Sequence, residues 1–290
     1  MQAVSFRGTI DMQNPTAQIF ASNLLVSAAR LQELETVRAL ISLGADVNTS
    51  PDRYTQPTAL YEAVNQQDIH IVQALLQAGA DLTAGFGVHY GISVFRKAIS
   101  GKNNRDLVRL LLSTRAGAAL VASSLGSMVL LDAVIHGDPG LVQVFLAAKA
   151  PLNPEDMTSM TALQAAAKGN NIEVVQILLD AGANVNVPAG QEFEIAAKKA
   201  IRTARYDNLV SPIQYAASQN NTEMVQMLLD LGAQVDGFIL NDENIDFDKV
   251  CIEKYPIVTP LQLAVKHENA VLVRLLLARG ANIEGPGYCK

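Results

Sequence analysis

Apolar and polar residues alternate along the chain in one recurring phrase. Residues 170–186 read NNIEVVQILLDAGANVN, and residues 220–236 read NNTEMVQMLLDLGAQVD. The apolar residues fall at i, i+3 and i+4, the spacing of one face of an α-helix. The glycines that follow, Gly182 and Gly232, predict a left-handed helix stop before a polar turn. Each phrase therefore predicts a short amphipathic helix that ends in a tight turn.

A second helix start precedes most of these glycine turns by about 21 residues. Examples are Thr161-Ala-Leu-Gln and Thr259-Pro-Leu-Gln. Thr or Ser caps a helix N-terminus, proline suits the first turn, and small alanines let a neighbouring helix approach closely. Because one helix pair cannot bury its own apolar face, the pairs are expected to stack. The glycine turns are Gly44-Ala45, Gly79-Ala80, Gly182-Ala183, Gly232-Ala233 and Gly280-Ala281.

We predict seven stacked helix pairs, of which the third and fourth are degenerate and lack the glycine turn. The predicted units cover residues 23–50, 58–84, 93–116, 128–153, 161–187, 211–236 and 259–284. They form one repeat domain over residues 23–286, after an N-terminal capping segment at 1–22 and before a tail at 287–290.

This pattern resembles the ankyrin repeat, whose signature is a T-P-L-H-x-A helix start, a paired helix and a G-A-D-V-N turn near period 33. The resemblance extends over residues 23–284, and the stretch T-A-L-Q-A-A-A at 161–167 resembles fungal ankyrin arrays in style. It implies an all-α ankyrin-repeat solenoid that recognises proteins through a concave groove and through the fingers between its helix pairs.

The chain departs from the family at the histidine of T-P-L-H, which no unit keeps. The residues at this position are Val26, Tyr61, Arg96, Leu131, Gln164, Gln214 and Gln262. Glutamine can still hydrogen-bond a neighbouring turn, whereas Val26 and Leu131 cannot. We therefore expect units one and four to be looser or to pack through apolar contacts.

Two long insertions explain why similar phrases recur at unequal spacing. Residues 188–210 and 237–258 separate units five, six and seven, at the place where an ankyrin finger varies in length. The first insertion is rich in cations and predicts a short extra helix, whereas the second is acidic. They are either solvated faces or a lid in which the opposite charges meet.

Composition restricts the classes of partner. The net charge is −6 and the pI about 5.2, which weighs against nucleic acid binding. Cys251 and Cys289 are too few for a disulfide framework, so we expect a reducing, cytoplasmic location. No signal peptide is apparent, and the apolar uncharged run at 116–131 is shorter than the ~20 residues of a membrane span. We expect no membrane partner.

Motifs for catalysis or metal binding are weak. Residues 242–253 resemble a calcium loop, but Phe247 stands where that loop needs glycine. His136 and His267 occupy the same slot three units apart, roughly 25–30 Å, and cannot share a metal. Neither a G-x-S-x-G motif nor a phosphate loop is present. We expect no cofactor, no metal and no catalytic residue.

Two predicted fingers are unusually apolar: GFGVHYG at 85–91 and GAALVASSLG at 117–126. Either these loops fold down on the degenerate units, or they form an apolar binding patch on the concave face. The candidate residues of the patch, with a groove histidine and a neighbouring tyrosine, are Tyr54, Phe86, His89, Tyr90, Leu120, Leu125 and His136.

The remaining groove residues come from the ends of the first helices. They are polar without a dominant charge, which suits a peptide or a folded protein surface better than a phosphate-rich ligand. The candidates for binding are Asn65, Lys168, Ser218 and Lys266.

The last unit is as apolar as an interior one, although a terminal repeat should have a polar outer face. Leu263, Val265 and Leu275 are expected to be partly uncovered. Either the chain is cut from a longer array, or this end meets a partner or a second copy.

The sequence predicts a non-catalytic scaffold for protein–protein interaction. The alternative is a small-molecule enzyme of the cyclase or isomerase type, in which His89 or His136 acts as a general acid or base in a pocket under the apolar fingers. A third possibility is a regulatory segment that binds another domain of a longer parent.

Overall fold

The computed structural model of the chain describes residues 15–49, 57–84, 88–102, 104–153, 160–186, 210–237 and 258–284. These residues form fifteen α-helices and no strand, as the predicted all-α class requires. The chain divides into two compact lobes, Met1–Val129 and Leu130–Lys290. In a repeat protein each helix pair contacts mainly the pairs next to it in sequence, so units far apart along the chain make few contacts.

The N-terminal lobe stacks helix pairs in two rows. α1 packs on α2 and α3, and α3 packs on α4 and α5, while α2, α4 and α6 form the second row. The helices are α1 (Pro15–Arg30), α2 (Leu34–Ser42), α3 (Ala59–Asn65), α4 (Ile69–Gln77), α5 (Val88–Ile99), α6 (Asn104–Leu112) and α7 (Arg115–Ala122). The next helix, α8 (Gly126–His136), begins in this lobe and ends in the other.

The C-terminal lobe repeats the same arrangement. α10, α12 and α14 form a row of first helices, each packed against its own second helix, and α9 packs on α11 as α13 packs on α15. The helices are α9 (Pro139–Ala147), α10 (Ala162–Lys168), α11 (Ile172–Asp180), α12 (Pro212–Ser218), α13 (Thr222–Asp230), α14 (Pro260–Lys266) and α15 (Ala270–Ala278).

The predicted caps and stops set the helix ends. Thr161, Ser211 and Thr259 each accept a hydrogen bond from the backbone N–H three residues on, and Gln164, Gln214 and Gln262 complete the capping boxes. The N-termini of the second helices are capped by Asn171, Asn221 and Asn269. All five predicted glycine stops have φ between 86° and 90°, which confirms the left-handed turn.

The signature position behaves as its side chains predict. Gln164 Nε2 donates to the Val210 carbonyl at 2.9 Å, and Gln214 Nε2 donates to the Val258 carbonyl at 3.2 Å. Each glutamine therefore ties its unit to the next one along the chain. Val26 is buried, so unit one packs through apolar contact at this position.

Helix α1 starts at Pro15, inside the segment predicted as a cap and before the predicted start of the first unit at residue 23. Proline at the first helical position and a run without glycine explain the longer helix. Similarly, α5 starts at Val88 rather than near residue 93. His89 and Tyr90 therefore lie in the first turn of a helix and not in a finger.

The second predicted apolar finger is also a helix, α7. Thr114 caps it by accepting a hydrogen bond from Gly117 N–H at 3.0 Å. A Cβ on Gly117 would lie 2.2 Å from the Leu111 carbonyl oxygen, so only glycine allows α7 to start this close to the end of α6. Leu120 and Val121 are buried against the lobe, so the run is apolar because it is core.

The finger insertions predicted at 188–210 and 237–258 lie outside the described residues, apart from Val210, Gly237 and Val258. The same holds for the calcium-like loop at 242–253 and the tail at 287–290. Among the described helices, none is long and apolar enough to cross a membrane alone, although α7 and α8 together meet those limits of length and composition.

Candidate functional site

The ends of the first helices in the C-terminal lobe form a line of exposed polar residues. α10, α12 and α14 end at Lys168, Ser218 and Lys266, and these three residues are called the first-helix line here. Both lysines are exposed and Ser218 is half-buried. Since the three helices pack side by side in one row, three of the predicted groove residues lie along one edge of the same lobe.

Hydrogen bonds between units fix the register of this line. Gln219 Nε2 donates to the Lys168 carbonyl at 3.4 Å, and His267 Nε2 lies 3.0 Å from the Ser218 carbonyl. In units six and seven, the residue directly after the first helix thus contacts the carbonyl of the last residue in the first helix of the preceding unit. These carbonyls are satisfied within the protein, so a ligand would meet the side chains of the line.

A second set of bonds runs beside the first, between the short turns that join the helices of each pair. Asn221 Nδ2 donates to Asn170 Oδ1, and Asn269 Nδ2 donates to Asn220 Oδ1, both at 2.8 Å. Asn170 and Asn220 have φ of 55°, a left-handed conformation that asparagine tolerates better than most residues. The turns are therefore held in place by side chains of adjacent units.

An aromatic ring positions one cation of the line. The Lys168 ammonium lies 5.9 Å from the centroid of the Tyr215 ring, within range of a cation–π interaction. Tyr215 is buried in α12, and its carbonyl accepts a hydrogen bond from the Ser218 hydroxyl at 2.7 Å. The unit that follows Lys168 therefore orients this side chain, and the line carries two positive charges in a chain whose net charge is −6.

The corresponding edge of the N-terminal lobe includes Asn65, exposed at the end of α3. Its most specific feature is an ion pair between the first and second units: Arg30 Nη2 and Nε donate to Glu62 Oε1 at 2.9 and 3.2 Å. The Glu62 carboxylate is buried, whereas Arg30 is half exposed. This ion pair links α1 to α3, the first helices of units one and two.

The predicted apolar patch is not assembled by the described residues. Leu120 is in the core against α5, where a Cβ on Gly91 would come within 2.7 Å of its Cδ2 atom, and Leu125 is half-buried. His136 is exposed at the end of α8. The side chains of Tyr54, Phe86, His89 and Tyr90 lie outside the described residues.

Metal ligands do not come together in the described part of the chain, where no three His, Cys, Asp or Glu side chains are grouped as a metal ion would require.

At the last unit, Val265 is exposed and Leu275 half-buried, as the sequence predicted. Leu263 is buried, so the expectation for this residue is wrong.

Sequence reasoning missed Tyr215 and the inter-unit hydrogen bonds of Gln219 and His267. The signal was available for Gln219 and His267, because each follows the last residue of a first helix directly. Tyr215 occupies the place of Ala165 in the preceding unit, and nothing in its own unit predicts that it meets Lys168.

Comparison with known families agrees with the stacked helix pairs. A family model described as ankyrin repeats (3 copies) matches residues 4–85 and 95–189, and a single ankyrin repeat model matches residues 208–239 and 258–286. The chain belongs to the ankyrin repeat family. Repeats of this family form an interaction scaffold, and the match covers both lobes.

Solved ankyrin structures resemble the chain at low identity. The crystal structure of an ankyrin repeat domain from Acinetobacter baumannii is 24% identical, covers 72% of this chain and 98% of its own, and has a TM-score of 0.55. The ankyrin repeat domain of human ASB11 is 22% identical, covers 92% of this chain and 88% of its own, with a TM-score of 0.43. No curated protein matches the chain.

Proposed function

We propose that this ankyrin protein is a non-catalytic scaffold that binds a partner protein along the first-helix line. The observation that carries the proposal is the row of Lys168, Ser218 and Lys266, which adjacent units hold in register through their backbone carbonyls. A surface that is fixed before binding loses less conformational entropy when a partner docks.

The charges of the line favour a partner segment with a carboxylate. The axes of adjacent packed helices lie about 8–10 Å apart. Lys168 and Lys266 are two units apart, so they lie roughly 20 Å from each other. An extended segment of about six residues spans this length, since a strand rises ~3.3 Å per residue. Polar residues at Ser218, Gln219 and His267 lie between the lysines and suit hydrogen bonding to such a segment.

Within the described part of the chain, no observation favours the small-molecule alternative. It requires a pocket under apolar fingers, yet Leu120 and Val121 belong to a packed helix. We therefore propose a protein partner alone.

The low cysteine content supports a cytoplasmic location, which cell fractionation of the intact protein tests.

A double charge reversal tests the proposed surface. With the intact protein as bait, the variant Lys168→Glu/Lys266→Glu should recover at least tenfold less of the protein that binds the wild type. The matched control is Arg38→Glu/Arg109→Glu, which makes the same charge change at two exposed positions on second helices. The control should bind normally. Equal binding by both variants, with helical content unchanged by circular dichroism, would exclude the first-helix line as the binding site.

A further inference from the structure

The first-helix line continues by one residue into unit four. Lys168 stands three residues before Asn171, which caps α11, and in the same way Ile135 stands three residues before the cap of α9. The two units are in register, because Asn171 Nδ2 donates to the Gly137 carbonyl at 3.2 Å. Ile135 lies in the C-terminal lobe and is 69% exposed. We call Ile135 and the first-helix line together the extended line.

Two contacts show which side chain of the next unit lies beside each residue at this position. Arg30 holds the position in unit one and binds Glu62 of unit two. Lys168 of unit five lies against the Tyr215 ring of unit six. Glu62 and Tyr215 both stand three residues before the end of their first helix, where unit five has Ala165. The neighbour of the apolar residue in unit four is therefore an alanine.

The apolar end of the extended line is open. Ala165 is buried and carries only a methyl group, so it covers little of Ile135. An apolar side chain placed against Ile135 removes the surfaces of both from water, which favours binding. The extended line thus presents an apolar, a positive, a small polar and a positive side chain, in the order Ile135, Lys168, Ser218 and Lys266.

The spacing of the extended line matches one backbone conformation closely. Adjacent packed helices lie about 8–10 Å apart, so the line offers one side chain per unit at about this interval. A polyproline II helix has three residues per turn and a rise of about 3.1 Å per residue, so every third side chain returns to the same face after about 9.3 Å. Residues i, i+3, i+6 and i+9 of such a segment therefore meet successive units.

Other regular conformations match the interval less well. A β-strand returns to the same face after two residues, at about 6.6 Å, and an α-helix reaches about 10.8 Å after two turns. A strand also seeks partners for its backbone N–H groups. The Lys168 and Ser218 carbonyls already take part in hydrogen bonds within the protein, and a proline-rich segment has few N–H groups to satisfy.

We propose that the partner segment binds the extended line as a polyproline II helix with an apolar residue at i and carboxylates at i+3 and i+9. The apolar residue packs on Ile135, and the carboxylates pair with Lys168 and Lys266. The residue at i+6 is small, because it faces the half-buried Ser218. This inference rests on the proposed function and names the sequence and conformation of the segment that the scaffold binds.

A synthetic peptide tests the register directly. The probe is Pro-Leu-Pro-Pro-Glu-Pro-Pro-Ser-Pro-Pro-Glu-Pro, in which proline enforces the conformation. Its reversed sequence is also measured, because the proposal does not specify the direction of the backbone. The control is Pro-Leu-Pro-Pro-Pro-Glu-Pro-Ser-Pro-Pro-Pro-Glu, which has the same composition but turns both carboxylates away by one residue. By fluorescence anisotropy with the intact protein, one in-register peptide should bind at least tenfold tighter than this control.

Variants of the protein assign each side chain of the peptide to its unit. Ile135→Lys should weaken binding of the probe at least fivefold and should bind a peptide with glutamate in place of leucine more tightly than the wild type does. The matched control is Val271→Lys, since Val271 is 67% exposed on α15 in the same lobe. It should bind the probe normally. Lys168→Glu/Lys266→Glu should lose the probe and bind the peptide in which lysine replaces both glutamates.

The outcomes separate this inference from the proposed function. Equal binding of the in-register and shifted peptides, no binding of either direction, or equal effects of Ile135→Lys and Val271→Lys would overturn the inference. The proposed function would still stand if Lys168→Glu/Lys266→Glu lost the natural partner in capture. If that double variant kept both the probe and the partner, the proposed function would fail as well. Circular dichroism of each variant confirms that the helices are retained.

Discussion

The sixth and seventh units begin in the same way and differ in what lies beyond them. Both first helices start with a capped proline turn, and both second helices start at an asparagine that accepts a backbone N–H. Gln214 is nevertheless buried and hydrogen-bonded to the next unit, while Gln262 is exposed. Local sequence determines the helices and their caps, whereas burial and inter-unit hydrogen bonds come from the neighbour.

The largest expected effect comes from a charge placed at equivalent positions of the two units. Ala217→Asp should lower the free energy of unfolding by at least about 3 kcal/mol, because it buries an unpaired carboxylate between first helices. Val265→Asp should change it by no more than about 0.5 kcal/mol, since this position is 60% exposed. Urea unfolding of both variants measures the difference. Similar losses in the two variants would show that a neighbour covers Val265.

A smaller effect is expected at the capping glutamines. Gln164→Ala removes the acceptor for Thr161 N–H and the donor to the Val210 carbonyl, at a residue 1% exposed. We expect a loss of about 2 kcal/mol, because two buried partners lose their hydrogen bonds. Gln262→Ala removes the bond to Thr259 N–H alone and should cost under about 1 kcal/mol. The same denaturation measurement applies, and equal costs would contradict a neighbour effect.

The regular units could be predicted from the sequence because their signals are local. A Ser or Thr cap, a glycine stop and i, i+3, i+4 apolar spacing each act within a few residues. The first helices of units five, six and seven are therefore capped by Thr161, Ser211 and Thr259, the residues at which these units were predicted to start. The same reasoning correctly assigned an inter-unit hydrogen bond to Gln164 and Gln214.

The irregular regions could not be predicted, because the deciding contacts are distant in sequence. The run GAALVA was interpreted as a finger, either folded down on the degenerate units or forming a binding patch, since it stands where a finger belongs. The structure shows a helix in which Leu120 and Val121 are buried. The proposed site was found in part. Lys168, Ser218 and Lys266 followed from unit alignment, but the Tyr215 ring under Lys168 depends on the packing of α12 against α10.

The first unit offers a third case, in which a side chain of α1 caps the first glycine turn. Gln18 on the extended α1 binds Gly44 and Asp46 as Asn48 binds Gly79 and Asp81 in the next unit. Gln18→Ala should lower the free energy of unfolding by about 1 kcal/mol, the net value of exposed-edge hydrogen bonds of this kind. Gln18→Glu keeps the acceptor for Asp46 N–H and should cost less. Thermal unfolding distinguishes them, and no loss in either variant would argue against a cap.

The smallest effect concerns a carboxylate that the sixth and seventh units share. Hydrogen bonds from Gln226 Nε2, at 2.8 and 2.9 Å, lower the pKa of Asp230 most, and Arg279 of the next unit adds a hydrogen bond and its charge. Because this pKa is lower in the folded than in the unfolded state, its contribution to stability is present above the unfolded pKa and is lost as pH falls through the folded value. Gln226→Ala and Arg279→Ala should each raise the pKa of Asp230 towards its ordinary value. An NMR titration of the carboxyl carbon measures both shifts. An unchanged pKa in Arg279→Ala would show that the seventh unit does not act on this carboxylate. The seventh unit would then affect the sixth only through burial and hydrogen bonds at other residues.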